Sequence, residues 1–285
     1  MAVNHEAMLV ENVANLMTCD TFNDVRIRLS NGVHVEANKV VLAAMSTFFR
    51  KKLQKNLTNA IDDKLLEVDV SSSKEMLELV IKYFYTGKMT FEALCLKDLL
   101  DLLNLLLFLE LEVLSTVVEK FINDKIMKGW FLLEKLLTLS CTAEAFCFKE
   151  IVSSMLYYLD LKINDVSKLP EVKYMSVEFL ESLIKDAKDN YRKARFFARF
   201  ETVRLWIETN DVDDEVTKKL ISMFDLRNFT VQQLTSTVRE SKLFSDSSIL
   251  DILSKTVIEL QEEIEELDEE CRKEWKSNYE QTKKY

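Results

Sequence analysis

Glycine and proline are nearly missing from this chain, with three and one among 285 residues. So few punctuating residues exclude propellers, barrels and Gly-rich phosphate loops, and they favour long helices with short connections. Histidine is as scarce: His5 and His34 are the only two, which leaves a His-based triad or metal site little to work with. No G-x-x-x-x-G-K, G-x-S-x-G or H-E-x-x-H occurs. The sequence therefore points away from an enzyme and calls for no cofactor.

Excess positive charge is absent too. A net charge of −10 argues against nucleic acid or an anionic membrane as a partner. The N-terminus, MAVNHEAMLVENVANL, has no basic region ahead of its apolar residues and reads as no signal peptide. The oiliest run, LLDLLNLLLFLELEVL (99–114), is broken by Asp101, Asn104, Glu110 and Glu112. It is too short and too polar to span a bilayer, and it reads as a core helix. Five cysteines (Cys19, Cys95, Cys141, Cys147 and Cys271) are odd in number and form no CxxC pair. That is the pattern of thiols in a reducing compartment, so the expected location is the cytoplasm, with the nucleus as the alternative.

What is there describes a folded protein. The chain is 48% hydrophobic and 30% charged, and it is long enough for two domains. Residues 24–37 alternate: Val25, Ile27 and Leu29 share one face, Val33, Val35 and Ala37 another, with Asn31-Gly32 between them. This predicts a hairpin, with His34 a solvated strand residue. A helix is predicted over 38–53, then a short strand through Leu66, Val68 and Val70. A further helix capped by Ser71–Ser73 ends at Gly87. Residues 88–91 suit another short strand, and helices follow at 97–109 and 111–126. Beyond Lys128 the periodicity is purely helical, with segments near 130–139, 143–159, 176–186, 196–209, 213–223, 230–239 and 246–270.

The 38–53 helix is unusual. Val40, Val41, Leu42, Ala43, Ala44 and Met45 run almost round the cylinder, and a helix apolar on every side is expected to be buried on every side.

Taken in order, TFNDVRIRLSNGVHVEANKVVLAAMSTFFRKKL (21–53) and MLELVIKYFYTGKM (76–89) resemble the BTB/POZ domain, and the resemblance covers roughly residues 5–125. That family has a Phe-x-Asp-Val strand, a Lys-x-Val-Leu-Ala-Ala-x-Ser-x-x-Phe helix and a Tyr-Thr-Gly helix end. It usually places His before the lysine, where this chain has Asn38, a residue that also caps helices. The segments EFLESLIKDA (178–187), RFETVRLWIETN (199–210), DLRNFTVQQL (225–234) and SKLFSDSSILDIL (241–253) resemble a BACK domain without a kelch propeller. Trp206 and Arg227 match its distinctive positions. The implied fold is an α+β BTB/POZ domain, a small mixed sheet flanked by helices, followed by an all-α BACK domain. The implied division is BTB/POZ over 1–125, BACK over 126–252 and an acidic C-terminal helix over 253–285.

The resemblance also implies contacts. A homodimer would form through the N-terminal stripe Ala7, Val10, Val13, Ala14 and Met17. Ala43, Ala44 and Ser46 would let helices approach closely, either across that interface or within one chain. Cullin-3 would dock near Leu57 and Asn59, where adaptors often carry hydrophobic-x-Glu; Asn59 replaces the acid. Asp24 and Lys39 match a charged pocket of BTB transcription factors, or else form an ion pair holding the strand end to the helix start. Independently of any family, Leu253, Val257, Leu260, Ile264 and Leu267 recur at steps of four and three residues, the spacing of a coiled-coil seam. Their acidic flanks would repel in a parallel pair of copies. The seam is expected to face the second domain or a basic partner.

The expected function is a non-enzymatic adaptor that dimerises, recruits cullin-3 to a ubiquitin ligase and presents an unspecified substrate protein. The alternative is a scaffold or regulatory protein that pairs with other BTB proteins and does not bind cullin.

Overall fold

A computed structural model describes residues 6–17, 19–58, 65–185 and 193–282. They divide into two compact units, Met1–Leu161 with Tyr174–Ser176 and Lys162–Lys173 with Val177–Tyr285.

In the first unit, strand β1 (Val25–Leu29) turns through Asn31-Gly32 into β2 (His34–Ala37). The two pair antiparallel, with Val25 opposite Ala37 and Arg28 opposite His34. Gly32 takes φ +85°, a left-handed conformation that a side chain would strain. Strand β3 (Leu65–Val68) lies parallel along the other edge of β1, giving the order β2-β1-β3. Val25, Ile27 and Leu29 are buried as the alternation predicts, while Arg26 pairs with Glu36 at 2.8 Å on the wet face and Arg28 pairs with Glu67.

Helices make up the rest of the unit: α1 (Glu6–Leu16), α2 (Lys39–Met45), α3 (Thr47–Thr58), α4 (Lys74–Thr86), which packs on β2, α5 (Leu96–Phe108) and α6 (Glu112–Met127), then α7 (Leu133–Ala145) and α8 (Lys149–Leu161). The helix predicted over 38–53 is in fact two, divided at Ser46, whose backbone is extended. The Ser46 side chain explains the break. Its hydroxyl donates to the Leu109 carbonyl at 3.0 Å and accepts the Phe49 N–H at 3.3 Å, so it caps α3. Asn38 caps α2 by accepting the Val40 and Val41 N–H groups, and Ser73 caps α4. Gly87 ends α4 at φ +67°. Residues 88–91 are not a strand; the Thr86 hydroxyl accepts the Lys88 N–H and holds the chain in the turn that follows α4. Two polar breaks in the oily run have partners. The Asp101 carboxylate accepts the Ser73 N–H, and Glu110 accepts from Lys51 and Thr47.

The second unit is helical throughout its described residues: α9 (Ile163–Val166), α10 (Val177–Lys185), α11 (Lys193–Thr209), α12 (Asp214–Ile221), α13 (Val231–Gln233) running into a π turn at Leu234–Val238, and α14 (Asp246–Thr282). Its core is a phenylalanine cluster. The Phe200 ring lies 5.6 Å from Phe224, 5.2 Å from Phe229 and 6.1 Å from Phe244, the first two edge to face, the favoured geometry for aromatic pairs. Trp206 is buried on the same helix. An α+β unit followed by an all-α unit is the architecture expected from the sequence.

Candidate interaction surfaces

Helix α2 buries Val41 and Leu42 but leaves Val40 73% exposed, with Ala44 and Met45 also open and Ala43 half-buried. The expectation of burial on every side therefore fails within a single chain. Its apolar residues exceed what the unit's own core covers. Ser46 faces inward, only 2% exposed, with its hydroxyl on the Leu109 carbonyl. Helix α1 packs on α4, with Val13 and Ala14 half-buried and Met17 exposed. Ala7 and Val10 lie within α1, but their side chains fall outside the described residues.

Beside α2, Met45, Thr47, Tyr83, Glu110, Leu111 and Val113 line a groove of about 480 Å³. Val113 is 84% exposed. It lies off the stripe that α6 buries, which runs through Ser115, Val118, Ile122 and Ile126. Val117, one turn on, is exposed as well. Sequence reasoning missed this groove. Its one legible signal was the pair Val113 and Val117, apolar on a face the periodicity assigns to solvent. At the rim, hydrogen bonds from the Lys51 ammonium and then the Thr47 hydroxyl hold the Glu110 carboxyl below the usual carboxylate range. Helix α3 begins at this groove with Thr47 and carries Leu57 near its other end, about 15 Å along the axis at an ordinary helical rise. The Leu57 side chain and all of Asn59 lie outside the described residues.

Asp24 and Lys39 meet through the backbone. The exposed Asp24 carboxylate accepts the Lys39 main-chain N–H at 2.8 Å, joining the start of β1 to the first turn of α2. An anion is favoured there by the helix N-terminus. The next amide along, Asn38 N–H, donates to the Tyr85 hydroxyl at 2.9 Å. Burial, with Asp24 nearby, pushes the Tyr85 pKa up.

In the second unit, Arg227 grips Asp225 through Nε and Nη2, the closest contact being 2.6 Å. Next to this turn, Ile221, Phe224, Leu226, Leu243, Phe244 and Ile252 line a groove of about 570 Å³ at the base of α14. Farther along α14, Leu253 is half-buried, while Val257, Leu260, Ile264 and Leu267 face solvent. Among the described residues no cluster of His, Cys, Asp and Glu could hold a metal ion, and no helix is long and apolar enough to cross a membrane.

Residues 13–126 match the BTB/POZ domain family. The chain is similar to human gigaxonin, 22% identical over 253 residues, which is 88% of this chain and 40% of that protein. It is similar also to mouse gigaxonin, 23% identical over 210 residues, 73% of this chain and 33% of that one. The chain thus spans well under half the length of these relatives. Among solved structures, the BTB domain of human gigaxonin aligns with 42% of this chain and 96% of its own at 22% identity and a TM-score of 0.36. The family match falls on the unit in which the strand, the capped helices and the Tyr-Thr-Gly helix end were found in sequence order: this chain carries a BTB/POZ domain, followed by an all-helical unit.

Proposed function

We propose that this chain is a protein-interaction adaptor. Its BTB domain pairs two copies through α1 and the open face of α2, and it recruits cullin-3 to a ubiquitin ligase. The helical unit, which we read as a BACK domain, extends that contact and presents a substrate protein in the groove at the base of α14. One observation carries the reading. The groove between Met45, Tyr83 and Val113 is an open apolar surface rimmed by Glu110 and Lys51, and an apolar centre inside a polar rim is how protein interfaces are built.

Titration calorimetry of the full chain with the N-terminal helical domain of cullin-3 tests the proposal. Binding is expected in the native protein and should be lost in Val113→Asp with thermal stability unchanged. Binding that survives Val113→Asp would exclude this groove as the dock.

Asn59 favours a second reading, a scaffold that pairs with other BTB proteins and leaves cullin unbound, because the acid that adaptors often carry at this position is missing. No heat of binding in either the native protein or Asn59→Glu would select it.

A further inference from the structure

The exposed face of α14 is used by nothing described so far. Val257, Leu260, Ile264 and Leu267 are each 49–60% open to solvent, and they recur at three- and four-residue steps on one unbroken helix. At 100° per residue, Glu265 and Asp268 line one side of this seam, and Glu259, Glu263 and Glu270 line the other. Between residues 259 and 270 there are eight acids and no base. Among the described residues one ion pair reaches into the block, Lys273 with Glu269 at 3.7 Å, and Glu269 lies on the face opposite the seam. Glu259 lies within the field of the Arg227 guanidinium, so the charge of the two walls is carried by Glu265 and Asp268 on one side and by Glu263 and Glu270 on the other.

An apolar seam between two acidic walls selects its occupant by sign. A second copy in parallel would set like charges against each other along both walls, as would any acidic helix. Nucleic acid is repelled outright. A helix with an apolar seam flanked by lysine or arginine satisfies both parts of the surface at once, burying Leu260 and Leu267 while its cations lie over the carboxylates. We propose that residues 257–271 of α14 are a docking strip for a basic amphipathic helix of a partner protein, whose cations lie over Glu263, Glu265, Asp268 and Glu270.

Fluorescence anisotropy of the full chain with two synthetic heptad peptides tests this. Both carry leucine and isoleucine at the seam; one has lysine and the other glutamate at the flanking positions. The lysine peptide is expected to bind at least about tenfold more tightly, since four exposed ion pairs of ordinary strength add up to that, and the preference should shrink as salt rises. Leu260→Asp with Leu267→Asp should abolish binding while the melting temperature holds. Changing Glu263, Glu265, Asp268 and Glu270 to lysine leaves the seam intact and should reverse the preference. Equal affinity for the two peptides, no binding of either, or binding that survives the paired aspartates would overturn the proposal. So would association of the chain with itself, without peptide, that the paired aspartates remove, because the strip would then belong to a second copy.

Discussion

The Ser46 hydroxyl donates to the Leu109 carbonyl across 3.0 Å, sixty-three residues away in the chain, while its oxygen accepts the Phe49 N–H in the first turn of α3. One small side chain thus closes the end of α5 and opens a helix. Ser46→Ala would leave the buried carbonyl without this donor and α3 without its cap. Urea unfolding should show a loss of about 1–2 kcal/mol. A change below a few tenths would mean that water replaces the serine.

Val40 tests pairing through α2. A residue 73% exposed contributes little to its own fold, so Val40→Glu should leave the melting temperature in place. Sedimentation of the native chain at micromolar concentration should give a dimer, and the variant should run as a monomer. A dimer that tolerates the charge is not held by this face.

Leu57 and Asn59 test cullin recruitment separately from the groove. As a buried anchor Leu57 should cost about 2 kcal/mol of binding when cut to alanine. Asn59→Glu should strengthen binding, mainly through a faster association rate that salt suppresses. Calorimetry and stopped-flow mixing with cullin-3 read the two effects apart.

Glu110 predicts a pH effect with a definite sign. Its carboxyl is held below the usual carboxylate range by Lys51 and Thr47, so the clasp is intact above that range and is lost only as pH falls through the lowered value. Carbon-13 titration of the Glu110 carboxyl should show a midpoint below that of an exposed glutamate, and Lys51→Met should move it back up. An unshifted midpoint would dissolve the clasp.

The phenylalanine cluster should dominate the stability of the helical unit. Phe200 is fully buried against the rings of Phe197, Phe224, Phe229 and Phe244, and Phe200→Ala should cost about 3–5 kcal/mol in chemical denaturation. Phe200→Leu should cost less, because it refills most of the volume.

The alternation at Val25, Ile27 and Leu29, the Asn-Gly turn and the Gly87 helix end were all legible in the sequence, because each depends on neighbours within a few residues. The break at Ser46 was not. Ala43, Ala44 and Met45 before it and Arg50, Lys51, Lys52 and Leu53 after it are good helix formers, and the carbonyl that makes an extended serine worthwhile sits at Leu109. The Met45–Tyr83–Val113 groove escaped for the same reason, since its walls come from three separate segments. Asp24 and Lys39 were singled out in the sequence as a charged pocket or an ion pair; the hydrogen bond from the Lys39 main-chain N–H to the Asp24 carboxylate was not read there, because main-chain groups leave no mark in a pattern of side chains. The seam on α14 was visible as spacing. Whether it faced the rest of its unit could not be read from spacing, because a buried and an exposed stripe follow the same period.

The strand order sets a timetable for folding. β1 meets β2 through a four-residue connection and can form a hairpin within microseconds, as local pairs do. Its parallel partner β3 lies about forty residues further on, with α2 and α3 in between, so Ile27 gains its second edge only after a long loop has closed. On a ribosome the hairpin would emerge first, with one edge unpaired until Val68 clears the exit. Through that interval Val25, Ile27 and Leu29 are the part of the chain most exposed to pairing with the wrong strand.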